Sequence, residues 1–190
     1  MKIAYAFRRE SWYPHFGPRG TELMPAELRS PWLRKVNSLG FDGLEISAAL
    51  PDGGDVSENT VGELRRQLEG SGLPVLGVRG GGGLIHPRTV DAARSRWEQA
   101  IQFTAWVGSP TLNGNLCIGS HQDQPGHFVG DPLSQDGSRE ASEENYERSA
   151  SILRPLADRA ADLGVGIALE VHQHSIIDTS WGATKFLALV

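Results

Sequence analysis

The sequence predicts an α/β fold built around a parallel sheet. Short apolar runs of strand length alternate five times with longer segments in which apolar residues recur at helical spacing. Glycine and proline concentrate between these segments, as turns require. Strict alternation of this kind joins parallel strands through helical crossovers. A chain of 190 residues, 39% of them hydrophobic, is long enough to bury the core of one such domain.

The predicted elements follow one another along the chain. We predict strands over residues 2–7, 42–47, 74–79, 111–115 and 165–171. We predict helices over residues 26–39, 57–69, 89–107 and 143–163, with a fifth that begins near residue 181 or 182 and still continues at the last residue. Ser57 is expected to cap the second helix and Gly108 to end the third. Pro155 lies inside the fourth helical pattern, where we expect a kink or a break.

Composition and charge narrow the class of protein. The chain has 18 basic and 23 acidic residues, a net charge of −5, so we do not expect a nucleic-acid partner. A single cysteine, Cys117, cannot form an internal disulfide, which is typical of a reducing compartment. No apolar run is long enough for a signal-peptide core or a membrane span. We therefore expect a cytoplasmic protein without a membrane partner.

Two architectures fit five β/α units. An open doubly wound sheet could be completed by 190 residues, whereas a (β/α)₈ barrel takes about 250 residues and would be unfinished here. No Gly-x-Gly-x-x-Gly follows the first strand, which weakens the dinucleotide-binding version of the open sheet. In both architectures the functional residues gather beyond the carboxyl ends of the strands.

The end of the fifth predicted strand carries the main candidates. Side chains alternate along a strand, so Glu170 and His172 share a face that is opposite to Leu169 and Val171. A carboxylate and an imidazole together suit a divalent cation, but a structural ion pair with an exposed histidine beside it fits the spacing equally well. Glu45 alternates in the same way on the second strand, where an internal salt bridge is favoured over catalysis.

Other residues near the strand ends are candidate substrate contacts, although each is also a common loop, turn or rim residue. The glycine run over residues 80–83 could bring backbone N–H groups near an anion, but it lacks the P-loop spacing. The polar stretch 118–142 has no periodicity and is predicted to be a long functional or mobile loop. The candidate contacts are Trp12, Tyr13, Glu45, His86, Asn113, His121 and His174.

Three segments together resemble the sugar phosphate isomerase/epimerase family of xylose isomerase-like barrels. These are "MKIAYAF" at the start, "GFDGLEI" at the second strand and "LADRAADLGVGIALEVH" before Gln173, the last being the most specific. The resemblance implies a (β/α)₈ TIM barrel, of which residues 1–190 supply about the first five β/α units. We therefore expect one domain that is the N-terminal portion of a barrel, truncated at its C-terminus.

The same resemblance implies a reaction. The family holds a divalent metal ion, Mn²⁺ or Mg²⁺, and removes a proton next to a carbonyl that the metal polarises. Of its ligands, only the glutamate after the fifth strand maps onto this chain, as Glu170, and the others are expected past Val190. Glu170 would be metal ligand and catalytic base, with His172 as base or supporting ligand. Ser175 to Ile177 replace a further acidic residue that epimerases of this kind carry, and Asp178 comes late.

The resemblance leaves other outcomes open. The α-subunits of C-glycoside deglycosidases look like this barrel, work with a smaller β-subunit and act as lyases that expel an aglycone from a 3-oxo-glycoside. Inosose dehydratases are a third relative. A non-catalytic barrel subunit and a DNA-repair endonuclease of the same fold are further hypotheses, the second disfavoured by the acidic charge. The expected partners are a sugar or glycoside substrate and either a second copy of the chain or a smaller subunit.

Overall fold

A computed structural model describes residues 1–7, 26–51, 54–85, 89–116, 121–124, 127–129, 137–139, 141–173 and 175–190. Its main sheet has five parallel strands, which are β1 (Ala4–Phe7), β2 (Gly43–Ser47), β3 (Val75–Gly81), β4 (Thr111–Asn115) and β7 (Gly166–Leu169). A separate antiparallel pair, β5 (His121–Gln124) and β6 (His127–Val129), lies between β4 and β7 in the sequence. The predicted strands are confirmed, whereas the hairpin falls in the stretch predicted as loop.

The strand order decides between the two architectures. The sheet runs β1-β2-β3-β4-β7, so spatial order follows chain order without reversal. An open doubly wound sheet reverses its order at a switch point, whereas successive strands of a barrel are always neighbours. The five strands are therefore an arc of a (β/α)₈ barrel, as the resemblance implied.

In the described part of the chain, five α-helices alternate with these strands. They are α1 (Ala26–Ser38), α2 (Glu58–Gly70), α3 (Val90–Val107), α4 (Glu143–Asp162) and α5 (Ser180–Leu187). Ser57 caps α2 as predicted, because its hydroxyl accepts a hydrogen bond from the Thr60 backbone N–H. Gly108 ends α3 in the left-handed conformation. The expectation that the last helix continues to the end of the chain is wrong, since α5 ends at Leu187.

We predicted a kink or a break at Pro155, and the prediction of a break is wrong. Helix α4 continues through Pro155 from Glu143 to Asp162. Proline removes one backbone donor, and the carbonyl that loses its partner belongs to Ser151, four residues earlier. Ser151 and Pro155 are both exposed, so water can replace the missing bond.

The core lies between the sheet and the helical layer. Apolar side chains from one face of the strands meet those of the helices, and the largest fully buried ones are Leu33, Leu44, Leu68, Trp97, Phe103, Leu112, Tyr146 and Phe186. In the described part of the chain, no helix is both long and apolar enough to cross a membrane.

Glycines on β3 and β4 make room for the Trp97 ring. A Cβ at Gly114 would lie 2.1 Å from the Trp97 ring, and one at Gly81 would lie 2.8 Å from it. The Trp97 Nε1–H donates to the Gly82 carbonyl at 3.0 Å, and the Gly82 N–H donates to the Asn115 carbonyl at 2.9 Å. Missing side chains on β3 and β4 thus let α3 approach the sheet.

Candidate active site at the carboxyl ends of the strands

Two opposite faces of the sheet can be told apart from the glycines. A Cβ at Gly80 would meet Ala100 of α3, and one at Gly114 would meet Trp97 of the same helix. These positions face the helices, so the alternating residues Arg79 and Asn113 face the other side. We call that side the inner face, since it corresponds to the interior of the barrel.

Glu170 continues the inner face beyond β7. Its backbone N–H donates to the Gly114 carbonyl at 2.8 Å, which extends the pairing of β7 with β4 by one residue. Alternation then places Glu170 on the same side as Ala168 and opposite Leu169. Its side chain is 28% exposed. The carboxylate therefore stands at the carboxyl end of the sheet, where sites of this fold lie.

The partner of Glu170 is Arg79, a residue that the sequence did not single out. Arg79 Nη2 donates to Glu170 Oε2 at 2.8 Å, and the Arg79 side chain is 25% exposed. Arg79 pairs in register with Asn113, so its side chain crosses β4 to reach the residue after β7. The available signal was alternation, because Val78 and Gly80 face the helices and leave Arg79 on the inner face.

Of three further predicted residues, Glu45 and Asn113 are the middle residues of β2 and β4, and His172 follows β7. His172 is half-buried, and its Nδ1 lies 2.7 Å from the Gln173 carbonyl. A carbonyl only accepts, so Nδ1 is the donor in this contact. Asn113 and Glu45 are both half-buried, and Glu45 lies beside Gly77, where an added Cβ would be 3.8 Å from its Cγ.

Hydrogen bonds hold the loop that carries His172. The Ser175 hydroxyl donates to the His172 carbonyl at 2.8 Å and accepts from the Ile177 N–H at 3.2 Å. The short 3₁₀ helix Gly137–Arg139 packs against the same loop, with the Ser138 N–H donating to Asp178 Oδ1 at 3.1 Å. Asp178 is therefore engaged in holding loops together.

The side chains of the remaining predicted substrate contacts are not among those that the structure describes. Trp12, Tyr13, His86 and His174 lie outside the described residues. His121 is the first residue of β5, a strand whose side chains are also outside the description. The structure thus brings Glu170 together with Arg79, an unpredicted residue, and leaves the peripheral contacts as predictions.

The residues present supply one part of a cation site. A carboxylate on the inner face has the oxygen chemistry that Mg²⁺ or Mn²⁺ prefers, so Glu170 is suited to be one ligand. Among the described residues, no group of three histidine, cysteine, aspartate or glutamate side chains is close enough to hold a metal ion. Within the described part of the chain, Glu170 is the residue to which the expected ligand set assigns a role.

Residues 33–190 match the family model of the xylose isomerase-like TIM barrel. The match covers most of the chain and agrees with the strand order of the sheet. The chain belongs to this family. No curated protein matches it.

Solved structures show the same fold. A xylose isomerase-like TIM barrel protein from Mycobacterium smegmatis in complex with magnesium has a TM-score of 0.68 and 20% identity, covering 98% of this chain and 60% of its own. An L-ribulose 3-epimerase has a TM-score of 0.68 and 21% identity, covering 100% and 57%. A 3-keto-D-glucoside 4-epimerase from E. coli has a TM-score of 0.64 and 20% identity, covering 99% and 64%. The chain thus spans about three fifths of the length of these structures.

Proposed function

We propose that the chain is part of a divalent-metal-dependent sugar isomerase or epimerase that moves a proton next to a carbonyl. The observation that carries the proposal is the Glu170 carboxylate, which stands on the inner face at the carboxyl end of the sheet and is one-quarter exposed. Membership of the family and the fold shared with an L-ribulose 3-epimerase support it.

Glu170 is the proposed base. Oε2 accepts from Arg79, and Oε1 takes part in no hydrogen bond within the described part of the chain. Oε1 would take the proton from the carbon next to the substrate carbonyl. Return of a proton to the neighbouring carbon gives an isomer, and return to the opposite face of the same carbon gives an epimer. A divalent cation bound beside Glu170 would polarise the carbonyl.

His172 is the proposed second proton carrier. Its Nδ1 donates to the Gln173 carbonyl, and an imidazole is the side chain best suited to carry a proton near neutral pH. An epimerase needs a group on each face of the reacting carbon, whereas an isomerase can work with one. Glu170 and His172 come from the same strand end, so together they could supply both groups.

Elimination is the second candidate outcome. The fold is shared with a 3-keto-D-glucoside 4-epimerase, whose name indicates a sugar with a 3-keto group. Removal of a proton next to such a group forms the enolate. The enolate then either takes a proton back or expels a leaving group. In the second case, the carbon that bears the leaving group is two bonds from the carbonyl carbon. The lyase reaction therefore shares its first step, and its base, with the epimerase.

Solvent exchange tests the proposal. The full-length protein is incubated in D₂O with Mn²⁺ or Mg²⁺ and a panel of ketoses and 3-keto-glycosides, and deuterium next to the carbonyl is measured by NMR. We expect exchange in the wild type and none with Glu170→Gln. Glu98→Gln is the matched control, because Glu98 also pairs with an arginine, Arg94, but on α3. Equal exchange in wild type and Glu170→Gln, or none in the wild type, would contradict the proposal.

A further inference from the structure

The ion pair across β4 places a fixed positive charge on the carboxylate that would bind the cation. Arg79 Nη2 lies 2.8 Å from Glu170 Oε2, and this is the only hydrogen bond of the guanidinium within the described residues. The pair joins residues 91 positions apart and is not imposed by local chain geometry. Its presence at this place therefore needs a physical explanation.

The Arg79–Glu170 ion pair opposes the binding of a divalent cation to Glu170, because the cation and the guanidinium are both positively charged. A cation coordinated by either oxygen of Glu170 would lie within about 6 Å of the guanidinium, a distance at which like charges repel each other even when solvent partly screens them. The guanidinium also neutralises the carboxylate that would attract the cation. A cation at Glu170 therefore binds with Arg79 still in place only at a large electrostatic cost.

The surroundings allow Arg79 to leave. Its side chain is 25% exposed, and the guanidinium is held by Glu170 rather than by a buried network. The residues in register with Arg79, Ser47 on β2 and Asn113 on β4, are uncharged, and Ala168 beyond Asn113 is an exposed methyl group. An arginine on such a surface can change rotamer without disturbing the core, because its own strand neighbour Val78 packs on the opposite face.

We propose that Arg79 is a positioning residue that holds Glu170 while the cation is absent and releases the carboxylate when a divalent cation binds. The proposal rests on the proposed function only for the role of Glu170 as a ligand. It assigns Arg79 the task of keeping a carboxylate in place on an otherwise open surface. It also predicts that Arg79 lowers the apparent affinity for the cation, since its bond must break first.

Mn²⁺ binding tests the proposal without any substrate. The chain is titrated with Mn²⁺ alone, and affinity is measured from the EPR signal of free Mn²⁺. Paramagnetic broadening of the Gly114 and Ala168 amide resonances reports whether the ion is at the site. The neutral variants Arg79→Met and Arg79→Gln should bind Mn²⁺ about tenfold more tightly than wild type, which is about 1.4 kcal/mol. Arg79→Lys keeps the charge and should stay near wild type.

Controls separate the possible failures. Arg94→Met removes a guanidinium from the exposed Arg94–Glu98 pair and should not change Mn²⁺ affinity. Adding Glu170→Gln to Arg79→Met should abolish the gain. Unchanged or weaker binding in both folded neutral variants would overturn the role of Arg79, even where Glu170→Gln still lowers affinity. Equal Mn²⁺ binding and broadening with and without Glu170→Gln would instead overturn the ligand assignment in the proposed function.

Discussion

The backbone N–H of Ser138 donates to Oδ1 of Asp178, which fastens the end of the long segment after β4 to the loop after β7. The Ser138 hydroxyl lies 3.1 Å from the Thr179 hydroxyl, and a Cβ at Gly137 would come within 2.0 Å of Asp178 Oδ2. The segment behind Glu170 and His172 is therefore packed closely.

Loss of the Asp178 carboxylate should destabilise this junction. Asp178→Ala leaves the Ser138 N–H without its acceptor, which we expect to lower the free energy of unfolding by about 1–2 kcal/mol. Urea unfolding followed by circular dichroism measures the change. Asp158→Ala, at an exposed position of α4, is the control and should stay within about 0.5 kcal/mol of wild type. Equal effects of the two substitutions would show that the junction contributes nothing.

The glycines beside Trp97 should be intolerant of a side chain. Gly114→Ala places a Cβ 2.1 Å from the buried ring and should cost about 1–3 kcal/mol through overpacking. Gly62→Ala on α2 meets nothing within 4 Å and should stabilise the protein by up to about 1 kcal/mol through helix propensity. Thermal unfolding of both variants gives the comparison. A neutral Gly114→Ala would contradict the close approach of α3 to β4.

Tyr146 should make stability fall at alkaline pH. Burial, followed by the charges of Asp178 and Glu143, raises the pKa of the Tyr146 phenol above its ordinary value of 10.0. The unfolded chain then loses this proton at lower pH than the folded one. The stabilisation is thus complete below about pH 10 and is lost as pH rises from there towards the folded pKa.

Tyr146→Phe is the variant that checks this. It removes the hydrogen bond from the Tyr146 hydroxyl to the Ile176 carbonyl, 2.9 Å long, and should cost about 1 kcal/mol at pH 7. The cost should shrink in urea unfolding above pH 10, because the wild type alone loses stability through this group. A stability deficit of Tyr146→Phe that stays constant from pH 7 to pH 11 would disprove the assignment.

The Arg79–Glu170 pair should be coupled more strongly than a helix-surface pair. Its side chains are 25% and 28% exposed, whereas those of Arg94 and Glu98 are 60% and 37% exposed. Double-mutant cycles with Met and Gln replacements, measured by urea unfolding without divalent cations, should give about 1 kcal/mol for the first pair and a few tenths for the second. A smaller coupling for Arg79–Glu170 would contradict a closed ion pair in solution.

Local patterns predicted most of the helices and strands. The apolar spacing of α2, α3 and α4, with Ser57 and Gly108 at helix ends, fixed their bounds to within a residue or so because these signals act over a few residues. The break predicted at Pro155 does not occur. The energetic penalty of an interior proline was applied without knowing that this position of the helix is exposed. The β5–β6 pair was missed because its residues show no apolar alternation.

The site was predictable only in part. Alternation along one strand sufficed to place Glu170 on the inner face. The contact with Arg79 depends on which strands are neighbours and on their register, information that a linear sequence does not carry. The glycine run was similarly ambiguous, because only the position of Trp97 reveals why side chains are absent there.

The most direct test of the account is a crystal structure of the protein grown with Mn²⁺, with anomalous data collected at the manganese edge. We predict an anomalous peak at coordination distance from a Glu170 oxygen, on the inner face, with the Arg79 guanidinium moved off the carboxylate. A map with the Glu170 side chain turned toward the helices, or with manganese bound only elsewhere, would contradict the central claim.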